Sequence, residues 1–115
     1  MSVADWMDEF PAAITICDAQ GIIVYMNQRS AQTFAADGGK ALIGSNLLNC
    51  HPEPARSKLH ALLTAQPPRS NAYTIEKNGL RKLIFQAPWY QNGQFAGLVE
   101  LSLPLPDPLP HFIRK

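Results

Sequence analysis

The chain lacks most of the features that mark the large functional classes. It has only two cysteines, Cys17 and Cys50, in 115 residues. A disulfide framework is therefore excluded as its source of stability, and both are read as reduced thiols. No apolar run approaches the 18 or so residues of a membrane span, and the opening MSVADWMDEF lacks the basic-then-apolar order of a secretory leader. The expected compartment is the cytoplasm, with no membrane partner. Excess charge is missing as well: ten Lys and Arg against nine Asp and Glu leave +1, a poor match for a phosphate backbone, so no nucleic-acid partner is expected. There is no Ser/His/Asp order, phosphate-binding glycine loop or metal signature. His51 and His60, with only Cys50 nearby, do not make a zinc set. No catalytic residue and no metal site is accordingly assigned.

What is present is an apolar fraction of 46% with 17% charged residues, enough for one packed domain and too apolar for a disordered chain. Charge is divided along the chain. Residues 1–39 carry five acids against Arg29 alone, for −4, and residues 40–115 carry nine bases against four acids, for +5. This is ordinary surface scatter or an acidic N-terminal helix that docks on a basic surface. There are ten prolines, four of them in the last twelve residues.

The pattern of apolar and punctuating residues predicts the elements. Residues 3–9 form a short amphipathic helix capped by Ser2, with Trp6, Met7 and Phe10 on one side and Pro11 ending it. AAITIC and IIVYM are strands joined by Asp18-Ala19-Gln20-Gly21. Asn27 caps a helix over 28–36, stopped by Gly38-Gly39. A second helix over 53–65 starts at Pro52 and Pro54 and presents Ala55, Leu59, Leu62 and Leu63. Strands 71–77, 80–90 and 94–103 follow, joined by Asn78-Gly79 and Asn92-Gly93. Asn-Gly between apolar runs signals a type I′ hairpin, whose two central residues need positive φ. The domain plan is a helix over 1–10, a body over 11–103 and a proline-rich tail or linker over 104–115.

If both Asn-Gly turns are two-residue loops, Glu76 faces Arg81, Ile84 faces Leu101 and Gln86 faces Val99. One sheet face then holds Tyr73, Ile75, Ile84, Gln86, Gly97, Val99 and Leu101. The other holds Leu83, Phe85, Ala87, Trp89, Leu98 and Glu100. Both are substantially apolar, so the second face needs a cover: the N-terminal helix through Trp6 and Phe10, a partner subunit, or both.

The element order, with "ITICDAQGIIVYMNQRSAQTF", "LIGSNLL" and "FAGLVELSL" over about residues 10–103, resembles the PAS sensor domain family. "CHPEPARSKL", "YTIEKNG" and "QAPWY" are more narrowly similar to PAS segments of bacterial haemerythrin-associated proteins. The resemblance implies an α+β fold: a five-stranded antiparallel sheet in the order 2-1-5-4-3, with central helices on one face and the N-terminal helix on the other. It implies a bacterial sensory domain, not an enzyme, that binds a small molecule between sheet and helices and relays the change through homodimer packing to an output domain in cis or in trans. The alternatives are a ligand-free dimerisation module and a haem-based gas or redox sensor. No output domain lies within these residues, so the chain is expected to be a fragment of a larger protein or a stand-alone domain.

The resemblance puts the pocket among Tyr25, Tyr73, Ile75, Ile84, Gln86, Val99 and Leu101, with a collapsed core as the alternative. It puts the helix-docking or dimer face at Trp6, Phe10, Leu83, Phe85 and Leu98. Haem-binding relatives take an axial histidine near the central helix, which makes His51 and His60 candidates. The plainer readings are a helix-start hydrogen bond for His51 and a surface position for His60. Flavin members of the family carry an Asn-Cys pair near Cys50, but His-Pro-Glu-Pro follows here in place of their Arg and Gln. A flavin adduct is therefore not expected, and Cys50 is read as a quiet thiol. His51 and Glu53 form a conceivable acid–base pair; local rigidity from Pro52 and Pro54 is the simpler purpose. Trp89 and Tyr90 cap the hairpin tip or form a partner patch.

Overall fold

A computed structural model of the chain describes residues 5–115. The expected Ser2 cap, with Val3 and Ala4, lies outside the described residues. A short helix α1 (Asp5–Asp8) leads into strands β1 (Ala13–Asp18) and β2 (Ile23–Met26). Helix α2 (Gln28–Thr33) and three single 3₁₀ turns (Ala35–Asp37, Gly39–Leu42, Leu47–Cys50) follow, then helix α3 (Ala55–Thr64). Strands β3 (Asn71–Lys77), β4 (Leu80–Gln91) and β5 (Gln94–Pro104) complete one antiparallel sheet in the order β2-β1-β5-β4-β3.

Local chemistry explains most of these boundaries. The Asp18 carboxylate accepts from the backbone N–H of Gln20 at 2.9 Å and of Ile22 at 3.0 Å, closing the β1–β2 connection as an Asx turn. Asn27 is fully buried and satisfies four backbone groups. Its Oδ1 accepts from Ile14 and Ser30, and its Nδ2 donates to the carbonyls of Met7 and Ala12. One side chain thus caps α2 and ties it to β1 and α1. Asn78, Gly79, Asn92 and Gly93 all have positive φ, as type I′ turns require.

The first Asn-Gly turn sets its hairpin as expected, with Glu76 opposite Arg81. In the second hairpin the turn register holds for Gln91 with Gln94 and Tyr90 with Phe95, then shifts at a β-bulge so that Trp89 pairs with Gly97. Ala96 is the extra residue. Beyond it Ile84 faces Ser102 and Gln86 faces Glu100, instead of Leu101 and Val99. A one-residue slip moves every side chain to the opposite face. Val99 and Leu101, expected in the pocket, therefore pair with Ala87 and Phe85 on the outer face. Leu98, expected on the outer face, is 1% exposed in the core. The bulge falls where β5 passes closest to β1: a Cβ on Gly97, whose φ is +149°, would lie 1.9 Å from the Cys17 carbonyl oxygen.

The core lies between the inner sheet face and the helices, where Cys17, Ile23, Met26 and Leu98 meet Leu47, Leu59 and Leu62. The outer face is less closed. Trp6 and Phe10 pack edge-to-face on each other, 5.4 Å between centroids, and remain 54% and 38% exposed. Leu83, Val99, Leu101 and Leu103 are half-buried and Phe85 is exposed. Trp6 and Phe10 were expected to cover that face, and among the described residues it remains partly open. The tail leaves β5 through one backbone bond, Leu105 N–H to the Arg81 carbonyl, and its residues 105–115 form no helix or strand.

Candidate functional site

Strands β1, β3, β4 and β5 turn a row of alternate side chains toward the helices. Between them and the segment from α2 to α3 lies a cavity of about 390 Å³, within the usual range for a small-molecule site. Its apolar wall includes Ala13, Phe34, Ala55 and Ile84, and its polar wall includes Thr15, His51, Tyr73, Glu100 and Ser102.

The polar wall is organised around Glu100 on β5, a buried carboxylate. Its Oε2 accepts from the Gln86 amide Nε2 at 2.8 Å and lies 3.2 Å from His51 Nε2. Gln86 Oε1 in turn accepts from Asn71 Nδ2 at 3.2 Å. The other imidazole nitrogen, Nδ1, is 3.0 Å from the Leu47 carbonyl. A carbonyl only accepts, so Nδ1 carries a proton. A neutral ring would then aim the Nε2 lone pair at Oε2, so the geometry is satisfied by a protonated imidazole bonded at both nitrogens. The direction of the His51 pKa agrees. Burial lowers it, but the hydrogen bond and charge of Glu100 and the Leu47 carbonyl outweigh burial, leaving it above the ordinary 6.5. The pair joins the helical segment to the sheet across 49 residues of sequence.

The neighbouring groups are chemically quiet. Burial raises the Cys50 pKa and the charges of Asp37 and Glu100 raise it further, so the thiol stays protonated. Cys17 is pushed up mainly by burial. Burial, then the Glu100 charge, raises the Tyr73 pKa and keeps its hydroxyl neutral. Glu53 accepts from the backbone N–H and hydroxyl of Ser57 on α3. It thus serves the start of that helix, and the carboxylate that His51 meets is Glu100.

Of the expected pocket residues, Tyr73, Ile75 and Ile84 line the cavity. Gln86 is on the inner face but behind Glu100, held by side chains. Tyr25 pairs with Ile16 on the outer face, where burial and then the Asp8 carboxylate raise its pKa. Val99 and Leu101 are carried outward by the bulge. Glu100, Thr15 and Ser102 were missed as pocket residues. For Glu100 and Ser102 the available signal was Gly97, since a glycine inside an apolar strand marks a bulge; for Thr15 it was the alternation with Ile14 and Ile16 on β1.

The donor set does not fit haem. Both nitrogens of His51 are engaged, and His60 is exposed on α3 and does not line the cavity. Among the described residues, no cluster of three or more His, Cys, Asp or Glu is placed to hold a metal ion, and no helix is long and apolar enough to cross a membrane. Trp89 donates to the Cys17 carbonyl at 3.0 Å, which fixes it at the hairpin, while Tyr90 is exposed.

Comparison with known proteins adds to this geometry. A family model described as the PAS fold matches residues 7–66. No curated protein matches. Among solved structures, the Aer2 receptor of Vibrio cholerae, described as a dual PAS-heme oxygen sensor, is 18% identical with a TM-score of 0.62, covering 83% of this chain and 95% of that one. A sensory box sensor histidine kinase from Vibrio cholerae is 17% identical with a TM-score of 0.64, covering 90% of each chain. Vibrio cholerae VqmA bound to DPO is 16% identical with a TM-score of 0.62, covering 87% of this chain and 55% of that one. At these identities the likeness is one of fold.

Proposed function

Because this chain belongs to the PAS family, we propose that it is the sensing module of a signalling protein, and that it binds a small molecule in the cavity between sheet and helices. The observation that carries this reading is the cavity itself: about 390 Å³, with apolar walls and a few convergent polar groups around a buried carboxylate. A ligand there touches both β5 and the segment held by His51, so occupancy biases how the helices sit on the sheet. The partly open outer face, with Leu83, Phe85 and Leu101, is where a second copy or an output domain would receive that change. The module is non-catalytic in this reading, and its setting is the cytoplasm.

A ligand-free dimerisation module is the second reading, and the incomplete cover of the outer face favours it. Native mass spectrometry of the purified protein, followed by thermal shift across a metabolite panel, separates the two. A co-purifying small molecule, or a panel member that raises the melting temperature, is the outcome expected for a sensor. A clean apo mass with no shift across the panel overturns the sensor and leaves the dimerisation module.

A further inference from the structure

Glu100 is the one buried carboxylate of the cavity wall, 7% exposed, and its two oxygens are used unequally. Oε2 meets both His51 and Gln86, and no described residue donates to Oε1. A buried carboxylate is most stable when each oxygen accepts a hydrogen bond. The groups that hold the charge in place leave one acceptor unspent on the polar wall of a cavity that Ala13, Phe34, Ala55 and Ile84 also line. We propose, resting on the reading of the cavity as a ligand site, that it takes a compact apolar body through a hydrogen-bond donor placed on Glu100 Oε1. The donor is an N–H or O–H group on a neutral or singly cationic molecule, and a carboxylate is rejected at that position.

The remaining charges support the same selection. His51 faces Glu100 and the Leu47 carbonyl with both nitrogens committed, so it offers no donor to an anion. Lys82 also borders the cavity, but it pairs with Pro104 and lies four residues along β4 from Gln86. At about 3.3 Å per residue that is roughly 13 Å from the Glu100 row. Lys77 is exposed at the far end of β3, and Asp37 is an exposed acid on the opposite side. Thr15, Tyr73 and Ser102 contribute neutral hydroxyls that accept as well as donate, so among the charged groups of the enclosed end the open position is the Glu100 acceptor, while the lysines lie at the outer end. Ala13, Phe34, Ala55 and Ile84 supply an apolar wall for a single ring.

The test is titration of the ¹⁵N-labelled full chain with benzamidine, benzamide, benzoate and toluene, read at the backbone amides of Thr15, Gln86 and Glu100. Benzamidine and benzamide are expected to shift these signals saturably, with benzoate weaker by about tenfold or more. Glu100→Gln is expected to erase the preference of benzamidine over benzoate. Benzoate or toluene binding at these residues as tightly as benzamidine overturns the donor rule and leaves the cavity a ligand site. So does an unchanged preference in folded Glu100→Gln. If none of the four probes, toluene included, perturbs these residues, the ligand reading of the cavity falls with it. The four-probe comparison on the wild-type chain decides the matter even if Glu100→Gln does not fold.

Discussion

Where β1 and β2 meet the helices, Cys17, Ile23, Met26, Leu47, Leu59 and Leu98 are each no more than 2% exposed and pack as a dry cluster. From the Ala13 end of β1 across to β3 and β4, the same inner face opens into a cavity bordered by Thr15, Tyr73, Ile75 and Lys82, with Ile75 38% exposed. The sheet is continuous across both regions, so the contrast comes from what lies above it. Leu47, Leu59 and Leu62 fill one half, and the segment around Phe34 and His51 spans the other without filling it. Stability is concentrated in the first half and adaptability in the second. The pair between His51 and Glu100 stands at the seam.

The contrast can be broken most severely at Gly97, where β5 crowds the β1 backbone at Cys17 and Asp18. Gly97→Ala places a methyl against the Cys17 carbonyl and is expected to cost upward of about 4 kcal/mol, enough to unfold a marginally stable domain. Loss of the far-ultraviolet dichroism band and of cooperative urea unfolding would register it. A folded, near wild-type Gly97→Ala would refute the close approach.

Paired truncations sharpen the comparison. Leu98→Ala in the dry cluster is expected to cost about 2–5 kcal/mol, whereas Ile84→Ala, already facing open space, is expected to cost about 1–2 kcal/mol, because the loss depends on the cavity newly created. Urea titrations give both values, and equal losses would mean that the two halves are packed alike.

A smaller effect is expected from pH. The folded pKa of His51 lies above 6.5, so its contribution is fully present below that value and is lost as pH rises through the folded pKa. The urea midpoint should fall as pH rises above 6.5 in the wild type, and by less in His51→Asn. Identical slopes in the two proteins would remove the protonated ring from the seam. Smallest of all, Glu76→Ala at the exposed hairpin, 3.9 Å from Arg81 with both side chains largely in water, should change stability by no more than about 0.5 kcal/mol.

What could be read from sequence was what is local. Asn27 announced a cap, Asn78-Gly79 and Asn92-Gly93 announced turns, and the elements came in the expected sequence because each signal depends on a few adjacent residues; the sheet order followed from the family resemblance, not from local signals. The face assignment of β5 did not follow, because the bulge at Ala96 answers to the Cys17 backbone, which is remote in sequence. Glu100 was put on the wrong face for that reason, and its partnership with His51 was hidden with it. Tyr73, Ile75 and Ile84 were placed correctly because the Asn78-Gly79 turn carries no bulge. Glu53 looked like the acid for His51 by proximity, yet the helix start at Ser57 claims it.

The extra residue in β5 behaves as a reading frame for the cavity. With Ala96 in the strand, Glu100 and Ser102 line the cavity while Val99 and Leu101 face away. Removing that one residue would restore the plain two-residue hairpin register and exchange the two sets, turning a polar floor into an aliphatic one without altering any side chain. A one-codon deletion is thus the shortest mutational path between two linings of the same cavity, with the crowding at Gly97 standing beside the residue that would be lost.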